Sequence, residues 1–191
     1  HSAITVRFDL YVIRSWDGSG YSDIWELFAD NTLLLQTTFD NQDFYDDHNQ
    51  AYPGTYPEHT HSPRTGATEN NTLGYFFKDA RFGDIAMDSV YEMIHAFPHS
   101  SDRLVLSFSA RGLQHIRDES WGLDNVEVIL EPGTNEDSPI HYVFDPSSQH
   151  MSLVFNKNVT PNEPRGRLEC QGFVEVESRG IEISGDIPFT A

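Results

Sequence analysis

Two short segments combine acidic side chains with glycine, a composition that suits a hard cation. The first, residues 15–23, holds Asp17 and Asp23 on either side of Gly18-Ser-Gly20. Glycines allow tight turns that present backbone carbonyls, and carboxylate and carbonyl oxygens are the ligands of calcium. The spacing differs from that of an EF-hand loop, which ends in a bidentate glutamate. We therefore expect a calcium site of another kind.

The second segment, residues 118–126, contains Glu119 and Asp124. Asp124 enters an apolar strand between Leu123 and Val126, where an unpaired buried carboxylate would be costly. A cation is one way to offset that cost. The alternative is that Asp124 accepts backbone N–H groups at a strand end while Glu119 faces solvent. The metal ligands predicted from both segments are Asp17, Asp23, Glu119 and Asp124.

A segment from about residue 40 to residue 71 follows neither strand nor helix periodicity. Long loops in compact domains are usually functional or disordered, and the tyrosines and prolines here favour an ordered one. Aromatic ring faces can stack on sugars while aspartate and asparagine bond the hydroxyls. The aspartates could instead form a second calcium site. A separate alternative is that the tyrosines only pin the loop onto the sandwich. The predicted ligand-binding residues are Tyr45, Tyr52, Tyr56 and Trp25.

Catalysis is not expected. Acidic pairs are too frequent for their spacing to single out the two carboxylates of a glycosidase, and no nucleophile elbow or phosphate-binding loop occurs. An N-terminal histidine, His1, with His59 or His61, could form the copper-binding histidine brace of an oxygenase. No other motif of such an enzyme accompanies them, so a copper oxygenase or glycosidase is the last-ranked reading.

The charge balance restricts the partners. Thirty acidic against twelve basic residues give a net charge of −18, which repels nucleic acid and anionic membranes. No apolar run is long enough for a membrane helix, and residues 1–191 contain no charged-then-apolar leader pattern, so we expect a mature or excised domain. Cys170 is the single cysteine, so no internal disulfide forms, and we expect a buried structural thiol.

The elements that must position these residues are strands. Apolar residues alternate with polar ones from end to end, the period of a strand with one buried face. Residues 85–97 and 121–130 are predicted as longer strands, and no segment of ten residues has helical spacing. Strand-like alternation also occurs at Ile4 to Val12, Leu33 to Phe39, Leu104 to Phe108, Met151 to Phe155 and Ile181 to Ile187.

We predict an all-β antiparallel β-sandwich with jelly-roll topology. Residues 1–130 form the main sandwich, residues 131–139 an acidic linker, and residues 140–191 further strands that extend the sandwich or pack beside it. Gly, Pro, Asn and Asp punctuate the strands throughout, as in sandwich folds.

Several motifs resemble a jelly-roll module common in secreted bacterial proteins. They include residues 8–13 with Ser15-Trp-Asp-Gly18, residues 30–39, Gln50-Ala-Tyr-Pro53, and Glu119-Ser-Trp-Gly-Leu-Asp-Asn-Val126. The last motif is similar to the final strand of MAM, reelin-type and cleaved-adhesin sandwiches, which are concanavalin-like. The resemblance implies a lectin-like double sheet with a structural calcium, held by Asp124 and, less directly, by Asp17 and Asp23.

Together these patterns predict a secreted or cell-surface, non-catalytic module that binds calcium and recognises a glycan or a protein surface. The alternative is a structural subunit that polymerises into a filament, sheath or surface layer. In that case a terminal strand such as residues 180–187 would add to the open sheet edge of a neighbour.

Overall fold

The structure is a computed structural model that describes residues 2–21, 23–101, 103–131, 140–145, 150–155, 174–176 and 181–186, with side chains up to residue 130. A single 3₁₀ turn, Gly18–Gly20, follows the first strand. The strands are β1 Ala3–Arg14, β2 Ile24–Ala29, β3 Thr32–Thr38, β4 Glu69–Asn70, β5 Phe76–Asp79, β6 Gly83–Ala86, β7 Asp88–Pro98, β8 Arg103–Arg111, β9 Glu119–Glu131, β10 Ile140–Asp145, β11 His150–Phe155, β12 Val174–Val176 and β13 Ile181–Asp186.

The strands form two large sheets and one hairpin. The five-stranded sheet has the order β12-β9-β1-β7-β4, the six-stranded sheet has the order β10-β11-β13-β8-β2-β3, and β5 pairs with β6. All pairings are antiparallel except that of β11 with β13. No described segment is an α-helix, and none is a helix long and apolar enough to span a membrane. The predicted all-β antiparallel fold is confirmed, while the jelly-roll topology stays a prediction.

The core lies between the two large sheets. On β1 the predicted alternation is confirmed, because every second side chain from Ile4 to Val12 is at most 1% exposed. Phe8 of β1 packs edge-on against Phe108 of β8, with ring centroids 5.2 Å apart, and also contacts Trp25 of β2. These contacts join the two sheets into a sandwich with one apolar centre.

The alternation predicted for residues 33–39 is only partly confirmed. Leu35, Thr37 and Phe39 are buried, whereas Leu33 is largely exposed. The register explains the difference, because Leu27 of β2 pairs with Leu35 while the next residue pairs with Leu33. Leu34 therefore forms a bulge and packs against the core instead of Leu33.

The long loop after β3 is ordered by buried amide side chains. Asn41 donates from Nδ2 to the carbonyls of Val12 and Arg14 at 3.0 and 2.8 Å. Gln50 donates from Nε2 to the carbonyls of Tyr52 and Thr65, both at 2.9 Å. Fully buried amides of this kind satisfy backbone groups that a strand ladder would otherwise pair. The loop is thus a fixed part of the domain.

The C-terminal strands join the same two sheets. β13 pairs with β8 and β11, and β12 pairs with β9. The segment predicted as a polymerising strand, residues 180–187, is thus paired with β8 along Ile181–Asp186 and is flanked on both sides within its own chain along Ile183–Asp186. Residues 132–139 of the predicted linker and Cys170 lie outside the described residues.

Candidate metal centre

The candidate centre forms where β1 ends and β9 begins. These strands pair antiparallel with Arg14 opposite Glu119, so the segment after β1 and the start of β9 meet at one end of the sheet. Ser15 N–H donates to the Asp118 carbonyl at 3.0 Å, and Trp16 Nε1–H donates to the Ser120 carbonyl at 2.7 Å. These bonds fix the chain immediately before Asp17.

The 3₁₀ turn brings a second acid into the same place. Gly18 has a φ of 68°, a left-handed conformation that favours glycine. The chain then returns so that Asp17 N–H donates to Asp23 Oδ2 at 2.7 Å and Asp23 N–H donates to the Gly18 carbonyl at 3.3 Å. Asp23 immediately precedes β2, so the centre links the two sheets.

Three carboxylates converge here. Asp17, Asp23 and Glu119 each present an oxygen, and these three atoms lie within 4.8 Å of one another. Asp23 and Glu119 are each only 1% exposed, while Asp17 is half-buried. The structure therefore brings together three of the four residues predicted as metal ligands.

Each of the three carboxylates has one oxygen fixed by an N–H donor. Asp17 Oδ1 accepts from Nε2 of Gln42, Asp23 Oδ2 from the backbone of Asp17, and Glu119 Oε2 from the backbone of Gln114 at 2.6 Å. The second oxygens of the two buried acids, Asp23 Oδ1 and Glu119 Oε1, accept from no described N–H or hydroxyl donor, and only a proton shared between Asp23 and Glu119 or a cation would satisfy them. Buried polar atoms are rarely left in that state.

The pKa values reflect the same crowding. Burial, followed by repulsion from Asp23, raises the pKa of Asp17 to about 7. Burial and repulsion from Asp23 also raise the pKa of Glu119 to about 8, and burial raises the pKa of Asp23. A cation bound among three carboxyl groups that resist ionisation in one small space would stabilise their charged form.

Another buried acid, Asp40, lies next to the centre. It is fully buried, its Oδ1 accepts from the backbone of Gln42 at 2.8 Å, and its Oδ2 lies 3.2 Å from Nδ1 of His48. Burial raises the pKa of Asp40 to about 7. Asp118 is also close, and its Oδ1 accepts from Ser15 Oγ at 2.6 Å.

Asp124 lies outside this cluster. Its Oδ2 accepts from the Tyr11 hydroxyl at 3.3 Å, and its Oδ1 accepts from the backbone of Asn125 at 2.8 Å. It pairs across the sheet with Asp9, several residues along β1 from the strand end that carries the cluster. The bond from the Asn125 backbone matches one part of the alternative considered from the sequence, but Asp124 lies within β9 rather than at a strand end, and Glu119 is buried rather than facing solvent.

The four residues predicted to bind a ligand fall in different environments. Trp25 is fully buried in the core, and Tyr52 packs its ring on Phe39 and Tyr91 with centroids 5.1 and 5.2 Å apart. Tyr56 is half-buried, and its N–H donates to the Gln36 carbonyl at 2.9 Å. Tyr45 is half-buried among other aromatic residues of the loop.

Exposed aromatic side chains at this end of the domain were missed by the sequence reasoning. Phe44, Phe82 and Tyr21 are exposed, and Phe44 packs on both Tyr45 and Phe82. The adjacent Phe44-Tyr45 pair within a run of aspartates was the available signal. Phe82 and Gln42 carried none, because only the fold brings them to these positions.

The histidines considered for copper are described only in part. His1 lies outside the described residues. The rings of His59 and His61 are stacked with centroids 6.4 Å apart, and His59 Nδ1 accepts from the backbone of Thr55 at 3.1 Å. Among the described residues, neither belongs to a cluster of three potential metal ligands.

Comparison of the chain with protein-family models, with curated proteins and with solved structures finds no match. Function must therefore be inferred from the chemistry of the residues themselves.

Proposed function

We propose that this chain is a non-catalytic extracellular recognition module whose β-sandwich is stabilised by a calcium ion at Asp17, Asp23 and Glu119. One observation supports the metal: two buried carboxylate oxygens, Asp23 Oδ1 and Glu119 Oε1, accept from no described N–H or hydroxyl donor and belong to an acidic cluster whose three ligand oxygens lie within 4.8 Å of one another.

The donor set supports a hard cation. All three side chains offer oxygen and none offers sulfur or imidazole nitrogen, which disfavours zinc and copper. Magnesium usually keeps several waters, whereas the Asp23 and Glu119 carboxylates are sealed from solvent. Calcium accepts several carboxylates in flexible geometry, so it fits this cluster best.

The position of the cluster supports a structural role for the ion. Asp17 follows β1 of one sheet, Asp23 precedes β2 of the other, and Glu119 begins β9. A cation shared by all three would tie the sheets together at this end. Binding to the native state alone increases the free energy of unfolding.

Burial argues against use of the same carboxylates in hydrolysis. Raised pKa values also occur in catalytic acids. A general acid must reach the substrate, however, and Asp23 and Glu119 are each 1% exposed. These two acids are therefore assigned to the ion, and the protein to binding rather than turnover.

An extracellular setting agrees with this chemistry. Extracellular modules commonly bind calcium with dissociation constants of about 10⁻⁴–10⁻³ M, so they are loaded outside cells. The net charge of −18 also suits a soluble module that avoids nucleic acid. Its partner is a glycan or a protein surface.

The alternative of polymerisation by strand addition is not favoured by a specific contact. Along Ile183–Asp186, β13 pairs on both sides within the chain, so this part of the strand offers no free edge. Size-exclusion chromatography with calcium and with chelator distinguishes the two functions, since a calcium-dependent polymer would favour the subunit.

The metal proposal is tested by thermal unfolding of the chain in chelator, in magnesium and in calcium. Calcium at about 100 times its Kd stabilises by about 2.7 kcal/mol, which raises Tm by about 5–11 °C in a protein of this size. Magnesium should raise Tm less. An identical Tm in all three conditions would show that no such ion binds.

A further inference from the structure

Five aromatic residues form a continuous row beside the acidic centre, here called the aromatic ridge. In order they are Phe82, Phe44, Tyr45, His48 and Tyr21, with consecutive ring centroids 5.6, 4.5, 5.0 and 6.3 Å apart. Phe82 is 59%, Phe44 37% and Tyr21 66% exposed. Tyr45 and His48 between them are half-buried, so the exposed rings lie at the two ends of one packed row. Clustered exposed aromatic rings mark an interaction site more often than an ordinary surface.

The ridge is fixed by the residues beneath it. Nδ1 of His48, in the middle of the row, lies 3.2 Å from Oδ2 of the buried Asp40. At the Tyr21 end, Ser19 N–H donates to the Asn49 carbonyl at 2.9 Å and joins the 3₁₀ turn to the long loop. A surface ordered before binding loses little entropy when a ligand arrives.

The surroundings of the ridge favour a carbohydrate over a protein. Residues 40–49 contain no aliphatic side chain, and Asp43, Asp46 and Asp47 among them are exposed. Protein interfaces are depleted in aspartate at their centres. Sugars instead offer C–H faces to aromatic rings and hydroxyl donors to carboxylates. Aromatic rings edged by aspartates match that combination.

The ring orientations restrict the form of the carbohydrate. Phe44 is inclined by 70° to Phe82 and by 49° to Tyr45, and His48 by 39° to Tyr21. A flat crystalline surface cannot contact rings set at such different angles. A single chain can turn from one sugar to the next and follow them.

Charge restricts the ligand further. The exposed aspartates of the loop and the net charge of −18 repel uronic acids and sulfated sugars. We propose that the aromatic ridge binds a single carbohydrate chain free of anionic groups. This names the ligand class of the recognition function proposed above and rests on it.

Calorimetric titration of the whole chain in calcium tests the proposal with cellohexaose as the neutral chain, a chitosan hexamer as the cationic chain and an alginate hexamer as the anionic chain. At least one of the first two should bind, and alginate should not. Phe44→Ala and Phe82→Ala should each weaken binding about tenfold, which corresponds to about 1.4 kcal/mol.

Phe76→Ala is the matched control, since Phe76 is 57% exposed on the same β5–β6 hairpin and, among the described residues, contacts no ring of the ridge. Its binding should equal that of the unaltered chain. The proposal is overturned if none of the three sugars binds, if alginate binds as tightly as the others, or if Phe44→Ala and Phe82→Ala bind as tightly as Phe76→Ala.

These outcomes are separable from those of the metal proposal. The ridge variants keep all three acids of the centre, so their Tm should still rise in calcium as it does in the unaltered chain. If the Tm of the chain does not change with calcium while its sugar binding still depends on Phe44, the metal proposal is refuted and the proposal for the aromatic ridge is retained. The reverse result would refute the ridge alone.

Discussion

The backbone N–H of Asp17 donates to Oδ2 of Asp23 at 2.7 Å, and this bond closes the loop that sets both carboxylates beside Glu119. The bond occupies one oxygen of Asp23, while the buried Oδ1 accepts from no described N–H or hydroxyl donor. A local hydrogen bond thus orders the loop and at the same time concentrates negative charge. We therefore expect removal of one of these carboxylates to stabilise the fold without a cation and to destabilise it with one.

Replacing Asp23 with asparagine should change Tm in opposite directions in chelator and in calcium. In chelator, Asp23→Asn removes one of three crowded acids, and the new amide can donate to Glu119 Oε1. Tm should therefore rise, by about 2–4 °C for each kcal/mol added to the free energy of unfolding. In calcium, the variant lacks a ligand, so the increase of about 5–11 °C expected for the unaltered chain should disappear. Thermal unfolding monitored by circular dichroism measures both.

Asp124→Asn is the control, because Asp124 lies outside the cluster and bonds Tyr11 and Asn125. Any change in Tm should be equal in calcium and in chelator. If Asp124→Asn lowers Tm only in calcium and Asp23→Asn does not, the metal site lies at Asp124, as the resemblance implies.

The metal-free chain should lose stability as pH rises. The ordinary pKa values are 3.8 for aspartate and 4.5 for glutamate, and the native state raises them to about 7 for Asp17 and about 8 for Glu119. Because the folded protein holds more protons than the unfolded chain in this window, the free energy of unfolding falls as pH increases from about 4 to about 8.

Calcium should reduce that decline, since ion binding requires the deprotonated carboxylates and strengthens with pH. Urea unfolding in chelator and in calcium across the window measures the two slopes. A free energy of unfolding that increases with pH in chelator would contradict the raised pKa values of the centre. The same slope in Asp23→Asn, which lacks one of the three acids, would show that the centre does not set the pH dependence.

Substitution of Gly18 should disrupt the centre and the ridge together. An added Cβ would lie 2.1 Å from the Asn49 carbonyl oxygen and 2.7 Å from Asp40 Oδ2, and the φ of 68° is unfavourable for other residues. Gly18→Ala should therefore lower Tm by several degrees and weaken calcium binding. Gly20→Ala, whose Cβ would meet nothing within 4 Å, is the matched control and should change neither.

The sandwich could be predicted from the sequence because its strands obey a simple period. Alternation from Ile4 to Val12 identifies a strand with one buried face whatever its neighbours are. The bulge at Leu34 could not be predicted, since it depends on how β2 and β3 align. Pairing order is likewise a property of distant segments, so the jelly-roll connectivity did not follow from the pattern.

The acids of the centre could be proposed from local chemistry, but their grouping could not. Asp17 and Asp23 flank glycines, which is a local signal, and they meet Glu119 only because β1 and β9 pair. Asp124 has the same chemistry as these acids in the sequence, and the register alone separates it from them. The exposed ring of Phe82 contacts Phe44 only because of the fold, and the spacing of the two residues in the sequence does not indicate that contact.

The long loop should depend on Asn41 more than on any surface asparagine. Asn41 Nδ2 bonds the carbonyls of Val12 and Arg14, and its Oδ1 accepts from Ser89 Oγ at 2.6 Å. Asn41→Ala leaves buried polar groups without this partner, and it should lower the free energy of unfolding by about 1–3 kcal/mol. Asn49→Ala removes only a weak exposed bond to the Asp47 carbonyl and is the control. Urea unfolding in calcium compares the two. Equal free energies of unfolding for the two variants would mean that buried amides do not order the loop. They would then not explain the order of the aromatic ridge on that loop either.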